Sequence, residues 1–253
     1  MRVIVTGAAS GIGRCFAETL AGRGDRLGLI DVAAGPLESV RKALDAVTTV
    51  QARVADVADG RQVSQAVDEL AGELGGLDWA IHCAAILGPG RFADQRPGDF
   101  ERVIRVNLLG TANVARAVFP HLRVSGGALA CLASTAAVHG WPRMSAYSAS
   151  KFGVSGLCDA LRAEFARAGV GVTAVYPLLI DTPLLAGKNQ APILARGKAI
   201  APAAVVRKTI KALERRRARV YVPARVWVIA AAHALFPSLL DAYGRRYGLT
   251  PDD

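Results

Sequence analysis

Short apolar runs alternate along the chain with longer stretches in which apolar positions recur at helical spacing. The short runs lack strict alternation, which is typical of strands buried on both faces of a parallel sheet, and the longer stretches are typical of crossover helices. The sequence predicts an α/β fold with a doubly wound, seven-stranded, mostly parallel sheet and helices on both faces. The predicted strands are Val3–Val5, Leu27–Ile30, Val47–Val54, Leu77–Cys83, Ala128–Ala133, Val170–Tyr176 and Val220–Val222, and the predicted helices lie near 12–23, 35–46, 60–74, 98–123, 147–168 and 202–215.

The chain contains no repeat, low-complexity tract or linker that would divide these strands between two units. We therefore expect one domain over residues 1–223. Residues 224–253 carry an apolar helical run from Val226 to Phe236 that Pro237 interrupts. This pattern predicts a helical extension that packs on the same domain or at an interface.

Composition narrows the class of protein. Hydrophobic residues make up 52% of the 253 residues and charged residues 21%, which excludes wholesale disorder. The first strand begins at Arg2, and no apolar stretch approaches the ~18 residues of a membrane span, so we expect a cytoplasmic protein. The four cysteines form no C-x-x-C pair, and the sequence therefore predicts no metal site and no disulfide framework.

The positive charge is concentrated near the C-terminus. The formal net charge is +10, and residues 188–253 contain 13 of the 31 basic residues but only 4 of the 21 acidic ones. A basic surface can bind nucleic acid or anionic lipid. Because interleaved aromatic residues, a zinc knuckle and a helix-turn-helix pattern are all absent from the sequence, we expect no nucleic acid partner.

A glycine-rich turn joins the first predicted strand to the first predicted helix. It reads Thr6-Gly7-Ala8-Ala9-Ser10-Gly11-Ile12-Gly13. Glycines permit a close approach of the backbone to a pyrophosphate, and the start of the helix offers unpaired N–H groups and the positive end of its dipole. We therefore expect the turn to bind a dinucleotide through Gly7, Ser10, Gly11, Ile12 and Gly13.

The second predicted strand ends at Asp31. A carboxylate there accepts hydrogen bonds from the ribose hydroxyls of adenosine and repels a 2′-phosphate, and neither Val32 nor Ser10 supplies a cation for that phosphate. The sequence therefore favours NAD over NADP. Asp56 and Val57 follow the third strand, where we expect contact with the adenine, although an Asp at such a place also commonly caps a turn.

Tyr147 and Lys151 stand one helical turn apart, so their side chains share a face of a predicted helix. The pKa of a phenol is about 10, too high for efficient proton transfer near neutrality. A neighbouring ammonium favours the phenolate, and so does the positive ring of an oxidised nicotinamide. Ser134 closes a strand-to-helix loop, where its hydroxyl can hydrogen-bond a substrate oxygen. These residues indicate acid–base chemistry on an alcohol or a ketone.

With Asn107 upstream and the glycine spacing G-x3-G-x-G, the sequence resembles the short-chain dehydrogenase/reductase family over roughly residues 1–223. The resemblance implies a Rossmann-type fold and an NAD(P)-dependent oxidoreductase with Tyr147 as the general acid or base. It implies that Asn107 holds a water chain reaching Lys151. The catalytic tetrad implied by the resemblance is Asn107, Ser134, Tyr147 and Lys151.

The resemblance also implies two further cofactor loops. The contacts it implies are Cys83, Ala84 and Ala85 after the fourth strand, Tyr147 and Lys151 on the helix, and Pro177, Ile180 and Thr182 after the sixth strand. The family usually has Asn-Asn-Ala-Gly at the first loop, where this chain has His82-Cys83-Ala84-Ala85, and Gly where it has Leu178. We expect His82 to be a buried structural histidine, Ala85 to alter cofactor affinity, and Leu178 to need a backbone conformation that a side chain permits.

The loops after the fourth, fifth and sixth strands are expected to form the substrate pocket. Candidate wall residues are Ile86, Leu87, Ser134, Trp141, Met144, Leu184 and Leu185. Almost all are apolar, and few charged groups are aimed at an anion, so we expect a lipophilic secondary alcohol or ketone. Trp141 and Met144 are equally compatible with ordinary core positions.

The segment Arg215-Arg216-Arg217-Ala218-Arg219 precedes the apolar run of the extension. Basic residues beside such a helix are compatible with peripheral membrane contact. An exposed apolar patch of that size is unusual in a monomer, so we favour burial of the helix as a cover over the substrate pocket or as a subunit contact. The resemblance implies a homodimer or homotetramer formed through the helices near 98–123 and 147–168.

Two other functions stay open on the sequence alone. One is a non-catalytic dinucleotide sensor or scaffold, against which the complete tetrad argues. The other is a dehydratase or epimerase on the same fold, which the short G-x3-G-x-G turn and the chain length disfavour.

Overall fold

The computed structural model describes residues 1–185 and 198–247. Within these ranges, seven parallel strands form one sheet in the order β3-β2-β1-β4-β5-β6-β7, which confirms the doubly wound sheet predicted from the sequence. The strand order reverses between β1 and β4, and ligands of such sheets bind at that point beyond the carboxyl ends of the strands. The strands are β1 (Arg2–Thr6), β2 (Arg26–Asp31), β3 (Val50–Val54), β4 (Trp79–His82), β5 (Ala128–Leu132), β6 (Gly171–Pro177) and β7 (Arg219–Val222).

Helices cover both faces of the sheet, because each helix turns an apolar stripe toward strands that are apolar on both sides. One layer buries residues such as Phe16, Leu20 and Leu37, and the other buries Leu70 and Leu122. The first layer consists of α1 (Gly11–Ala21), α2 (Ala34–Asp45) and α7 (Pro202–Glu214), and the second of α3 (Gly60–Leu74), α5 (Gly110–Ser125) and α6 (Ser145–Ala166).

The prediction of a single regular helix near 98–123 is wrong in one detail. The structure has α4 (Asp99–Ile104), a π-helical turn over Arg105–Leu109, and then α5. A Cβ at Gly110 would lie 2.8 Å from the Val57 side chain, so the chain runs tightly past the residues that follow β3. A π-helical turn absorbs an extra residue in a helix and is frequent at functional sites; here it carries Asn107.

The C-terminal extension contains α8 (Val226–Leu235) and α9 (Pro237–Tyr247), both packed on the loop after β5. Val226 is fully buried, and the rings of Trp141 and Tyr243 lie 6.3 Å apart. No single helix in the described part of the chain is long and apolar enough to cross a bilayer. The two helices of the extension meet that requirement only together, as a pair bent by 114°.

Candidate active site

Two cavities open at the carboxyl edge of the sheet. The first, the glycine-turn cavity, has a volume of about 480 Å³ and lies against the turn between β1 and α1. The second, the tyrosine cavity, has a volume of about 440 Å³ and contains Tyr147 and Ser134 in its wall. Ile12, Thr182 and Leu184 line both cavities, so the two are adjacent.

The glycine turn is shaped for close approach of a ligand. Gly7 and Gly11 have φ angles of +67° and +52°, a conformation in which a side chain is strained. A Cβ at Gly7 would lie 2.7 Å from the Ala84 nitrogen, and one at Gly13 would collide with the Gly7 carbonyl oxygen. The Ser10 side chain makes no cap bond to α1. The first N–H groups of α1 are therefore available to a pyrophosphate, and the turn fits a dinucleotide.

Most residues predicted to bind the cofactor line the glycine-turn cavity. Those brought together there are Gly7, Ser10, Gly11, Ile12, Gly13, Asp31, Asp56, Val57, Cys83, Ala84, Ala85 and Thr182. Arg102 and Val106 also line this cavity and were not predicted to do so. Their spacing of four residues places them on one helix face and could have indicated a shared role. Ile86 lines this cavity and not the tyrosine cavity, which corrects its assignment to the substrate wall.

Asp31 holds the loop at the end of β2. Its carboxylate accepts hydrogen bonds from the backbone nitrogens of Ala9 and Ala33, each at 3.0 Å. It still lines the glycine-turn cavity, where its remaining lone pairs can accept from ribose hydroxyls. Arg14 is occupied elsewhere, by an ion pair of 2.7 Å with Glu18.

His82 at the end of β4 is a buried structural residue. Its Nδ1 lies 2.7 Å from the Thr6 hydroxyl, and its Nε2 has no hydrogen-bond partner. Burial lowers the pKa of His82 to about 3, with a smaller contribution from Lys151. The imidazole is therefore neutral at physiological pH and lines neither cavity.

Tyr147 and Ser134 meet in the wall of the tyrosine cavity. Ser134 lies at the start of the loop after β5, where its Oγ accepts a hydrogen bond from the Ala136 nitrogen at 3.1 Å. Burial raises the pKa of Tyr147, and a hydrogen bond with the Ser134 side chain opposes that rise. In the protein alone, desolvation thus outweighs the stabilisation of the phenolate that the sequence predicted from Lys151.

Lys151 lies behind Tyr147 on α6. Its ammonium donates a hydrogen bond of 2.7 Å to the Leu132 carbonyl and sits 5.6 Å from the centre of the Tyr147 ring. Burial lowers the pKa of Lys151 to about 8. At pH 7 the charged form therefore still prevails by about ten to one.

Asn107 connects the π-helical turn to the loop after β4. Its Oδ1 accepts from the Ile86 nitrogen and its Nδ2 donates to the Ile86 carbonyl, both at 2.9 Å, and Nδ2 also lies 3.0 Å from the Ser150 hydroxyl. The Thr111 hydroxyl donates to the Asn107 carbonyl at 2.6 Å. The side chain thus holds Ile86 in the wall of the glycine-turn cavity.

The segment after β6 contributes to both cavities. Pro177 and Ile180, for which we expect cofactor contact, line the tyrosine cavity, and Ile180 pairs with Ile200. Their contact with the cofactor stays a prediction. Thr182 lines both cavities. Leu178 donates its N–H to the Val222 carbonyl at 2.8 Å and is not among the residues of positive φ, so a side chain is accommodated.

The residues predicted to form the substrate pocket do line the tyrosine cavity. They are Leu87, Ser134, Trp141, Met144, Leu184 and Leu185. The extension adds Ile229, Leu240 and Tyr243, which sequence reasoning did not assign to this wall. Only the fold reveals them, since the pattern of the tail does not say where its helices pack.

The expectation of a pocket with few charged groups is wrong for this cavity. Lys198 and Arg225 both contribute to its lining. Lys198 lies before the pairing of Ile200 with Ile180, and Arg225 directly precedes α8. These two cations come from different segments of the chain, so the sequence alone does not show that they line the same cavity.

No group of three or more His, Cys, Asp or Glu side chains in the described ranges is arranged to hold a metal ion. All four cysteines are free thiols, and Cys131 and Cys158 are fully buried.

Comparisons with known proteins agree with this geometry. The sequence model of the family described as short chain dehydrogenase matches residues 1–192. The cis-4-hydroxycyclohexanecarboxylate dehydrogenase of Sinomonas cyclohexanicum is 36% identical over 186 residues, which cover 73% of this chain and 75% of the relative.

Two solved structures have the same fold. A short chain dehydrogenase/reductase from Burkholderia phymatum in complex with NAD superposes with a TM-score of 0.85 at 24% identity, covering 94% of each chain. A short chain dehydrogenase from Mycobacterium paratuberculosis bound to NAD has a TM-score of 0.81 at 26% identity, covering 87% of this chain and 95% of its own.

Proposed function

The chain belongs to the short-chain dehydrogenase family of oxidoreductases, and we propose that it interconverts a hydrophobic secondary alcohol and its ketone with NAD as the preferred cofactor. One observation carries the proposal: the Tyr147 and Ser134 side chains line an apolar cavity directly beside the glycine turn. That arrangement brings an acid–base group, a hydrogen-bond donor and a dinucleotide site to one place.

Tyr147 performs the proton transfer. In the oxidation its phenolate oxygen accepts the hydroxyl proton of the alcohol, and in the reduction its phenol donates a proton to the ketone oxygen. Ser134 lines the same wall, where its hydroxyl donates a hydrogen bond to the substrate oxygen. When bound, the nicotinamide ring supplies the hydride acceptor of the oxidation and the hydride donor of the reduction.

Lys151 and Asn107 support this proton transfer. The charged ammonium of Lys151, 5.6 Å from the Tyr147 ring centre, stabilises the phenolate as it forms. Its hydrogen bond to the Leu132 carbonyl fixes the amine. Asn107 bonds Ser150, the neighbour of Lys151 in sequence, and so ties α6 to the π-helical turn.

The preference for NAD rests on the residues at the end of β2. Asp31 and the uncharged Val32 line the glycine-turn cavity there. A carboxylate at that place favours free ribose hydroxyls over a 2′-phosphate. Arg14, the basic residue nearest to the turn in sequence, is paired with Glu18.

The substrate assignment rests on the walls of the tyrosine cavity. Leu87, Met144, Leu184 and Leu185 present apolar surface, and Trp141 adds an aromatic face. A cavity of about 440 Å³ is of the size that holds small organic ligands. The Sinomonas relative is named for a secondary alcohol on a saturated ring, and such alcohols belong in the first substrate panel.

The substitution Tyr147→Phe tests the proposal. We expect NAD-linked turnover of the best alcohol in a panel of hydrophobic secondary alcohols to fall about 100- to 10,000-fold while NAD binding is retained. Tyr176→Phe is the matched control, since the Tyr176 hydroxyl bonds Ser155 at 2.7 Å and lines neither cavity. Unchanged turnover in Tyr147→Phe would refute the mechanism, and NAD binding without turnover of any panel member would favour a sensor or scaffold.

We also propose a homodimer or homotetramer. Leu109 at the end of the π-helical turn and Phe152 on α6 are large apolar residues exposed to solvent. Both lie in the segments from which the family resemblance implies the subunit contact. Analytical ultracentrifugation of the full chain is expected to show an oligomer that Phe152→Glu weakens, and a monomeric native chain would contradict the assembly.

The outer face of the extension is proposed to contact an anionic membrane surface. Trp227, Phe236 and Leu239 are more than half exposed there, and Arg245 and Arg246 end α9. Exposed apolar residues beside basic ones are typical of interfacial helices. Flotation with vesicles containing phosphatidylserine is expected to recover the full chain, and Trp227→Ser with Phe236→Ser is expected to abolish recovery. Absence of the native chain from the floated fraction would dismiss the contact.

A further inference from the structure

The lining of the tyrosine cavity includes two cations. Lys198 and Arg225 line it together with Ser134 and Tyr147. Most of the other lining side chains are apolar, among them Leu185 and Ile229. A molecule that fills this cavity therefore meets hydroxyl groups, hydrocarbon and positive charge.

Neither cation is neutralised by the protein as far as the chain is described. Within residues 1–185 and 198–247, Lys198 and Arg225 take part in no ion pair, whereas arginines elsewhere, such as Arg41 and Arg162, are paired with carboxylates. No Asp or Glu belongs to the described lining of the cavity. The Asp241 carboxylate on α9 interacts electrostatically with His139, and neither of these residues lines the cavity.

The glycine-turn cavity accounts for the cofactor phosphates without these residues. It has its own helix start at Gly11–Gly13 for a pyrophosphate, and neither Lys198 nor Arg225 lines it. The positive charge of the tyrosine cavity is therefore left for the substrate.

We propose that the substrate carries an acidic group, a carboxylate, on the apolar body that bears its alcohol or ketone, and that Lys198 and Arg225 bind this group. The inference rests on the proposed function and adds to it the chemical class of the substrate. Arginine and lysine both donate charge-assisted hydrogen bonds to a carboxylate, and the apolar residues of the same lining accommodate the hydrocarbon body of the substrate.

A matched pair of ligands that lack the reacting alcohol tests the subsite. Decanoate and decanamide have the same chain and differ in charge, and their dissociation constants from the full-length, NAD-loaded protein are measured by calorimetry. We expect decanoate to bind about tenfold more tightly at low ionic strength, a modest factor because both cations are exposed to solvent. The preference is expected to shrink as salt is added.

Substitution identifies the groups responsible. Lys198→Gln and Arg225→Gln are each expected to reduce the preference for decanoate, and the double variant to abolish it, with decanamide binding unchanged. Lys208→Gln and Arg215→Gln are the controls, because these cations lie on and just after α7 and do not line the cavity. Thermal unfolding checks that every variant is folded.

Four outcomes would overturn the subsite. They are equal binding of the two ligands, no binding of either ligand, a preference that survives in the double variant, and a loss of NAD affinity in the variants. The last result would mean that Lys198 and Arg225 bind the cofactor and not the substrate. Because neither ligand turns over, the result is separate from that of Tyr147→Phe. If the protein bound decanoate selectively but catalysed no hydride transfer, the proposed function would be refuted and the carboxylate subsite would still be supported.

Discussion

His82 places an imidazole in the interior of the sheet with half of its hydrogen-bonding capacity unused. Nδ1 is bonded to Thr6, and Nε2 has no partner. Thr6 in turn accepts N–H groups of Cys83 and Ala84 at 3.2 and 3.4 Å, so the histidine helps to hold the loop that lines the glycine-turn cavity. The neutral imidazole of His82 therefore positions this loop.

The burial of His82 makes the protein sensitive to acid. Its pKa is about 3 in the folded chain and about 6.5 in the unfolded chain, so only the unfolded chain takes up a proton between these values. The stabilisation is complete above pH 6.5 and is lost as the pH falls toward 3, by up to about 5 kcal/mol. Urea unfolding of His82→Gln across this range should show a correspondingly flatter pH profile.

His121→Gln provides the comparison for that profile. His121 lies nearer the surface, where its Nε2 is 2.7 Å from an oxygen of Asp68. An equal flattening in both variants would mean that burial of His82 is not the cause of the acid sensitivity.

Among the elements, the end of β2 carries the proposed preference for NAD. Asp31 caps its own loop through two backbone N–H groups, and the adjacent Val32 is 67% exposed and lines the glycine-turn cavity. Asp31→Ser with Val32→Arg removes a charge that repels a 2′-phosphate and adds one that attracts it. We expect the ratio of NAD to NADP affinities to fall by about 100-fold, because the net charge beside the phosphate becomes more positive by two.

Val54→Arg is the matched control for this change of cofactor. It adds the same charge at the exposed end of β3, the neighbouring strand, but does not line the cavity. Fluorescence titration of each variant with both reduced dinucleotides gives the ratio, and a similar shift in Val54→Arg would show that general electrostatics and not the end of β2 sets the preference.

The π-helical turn gives Asn107 its reach across to the loop after β4. Asn107→Leu leaves the Ile86 N–H and carbonyl without their partners, which costs about 2–4 kcal/mol of the free energy of unfolding. Asn113→Leu, on the same helix, removes one bond to the Val57 carbonyl and should cost about 1 kcal/mol. Chemical denaturation distinguishes the two, and equal losses would deny Asn107 its special role.

The elements differ in how far the sequence reveals them. The strands and the glycine turn could be predicted because their signals are local, a short apolar run or glycines at fixed spacing. The π-helical turn at Arg105–Leu109 could not, because nothing in the local pattern of Arg105–Leu109 distinguishes it from the α-helix on either side. The same holds for Lys198 and Arg225, which are far from Tyr147 in sequence.

At the scale of the whole molecule, the two cavities draw differently on the C-terminal extension. The described part of the extension joins the tyrosine cavity through Ile229, Leu240 and Tyr243, whereas no described residue after Leu184 lines the glycine-turn cavity. Lys188 and Arg196, which contribute to the basic balance of residues 188–253, lie outside the described residues. The described extension therefore belongs to the proposed substrate cavity and not to the proposed cofactor cavity.

This division predicts a selective kinetic effect. Ile229→Ala with Leu240→Ala removes methyl and methylene groups from the wall of the tyrosine cavity, each worth about 0.8 kcal/mol when fully buried against a ligand. Both side chains are half-buried, so only a fraction of that free energy is lost. We expect KM for a lipophilic alcohol to rise about tenfold and the dissociation constant of NAD to stay unchanged. Val228→Ala is the control, because that side chain is 56% exposed and does not line the cavity. A parallel loss of NAD affinity would mean that the extension holds the entire carboxyl edge of the sheet together. It would contradict separate roles for the tyrosine cavity and the glycine-turn cavity.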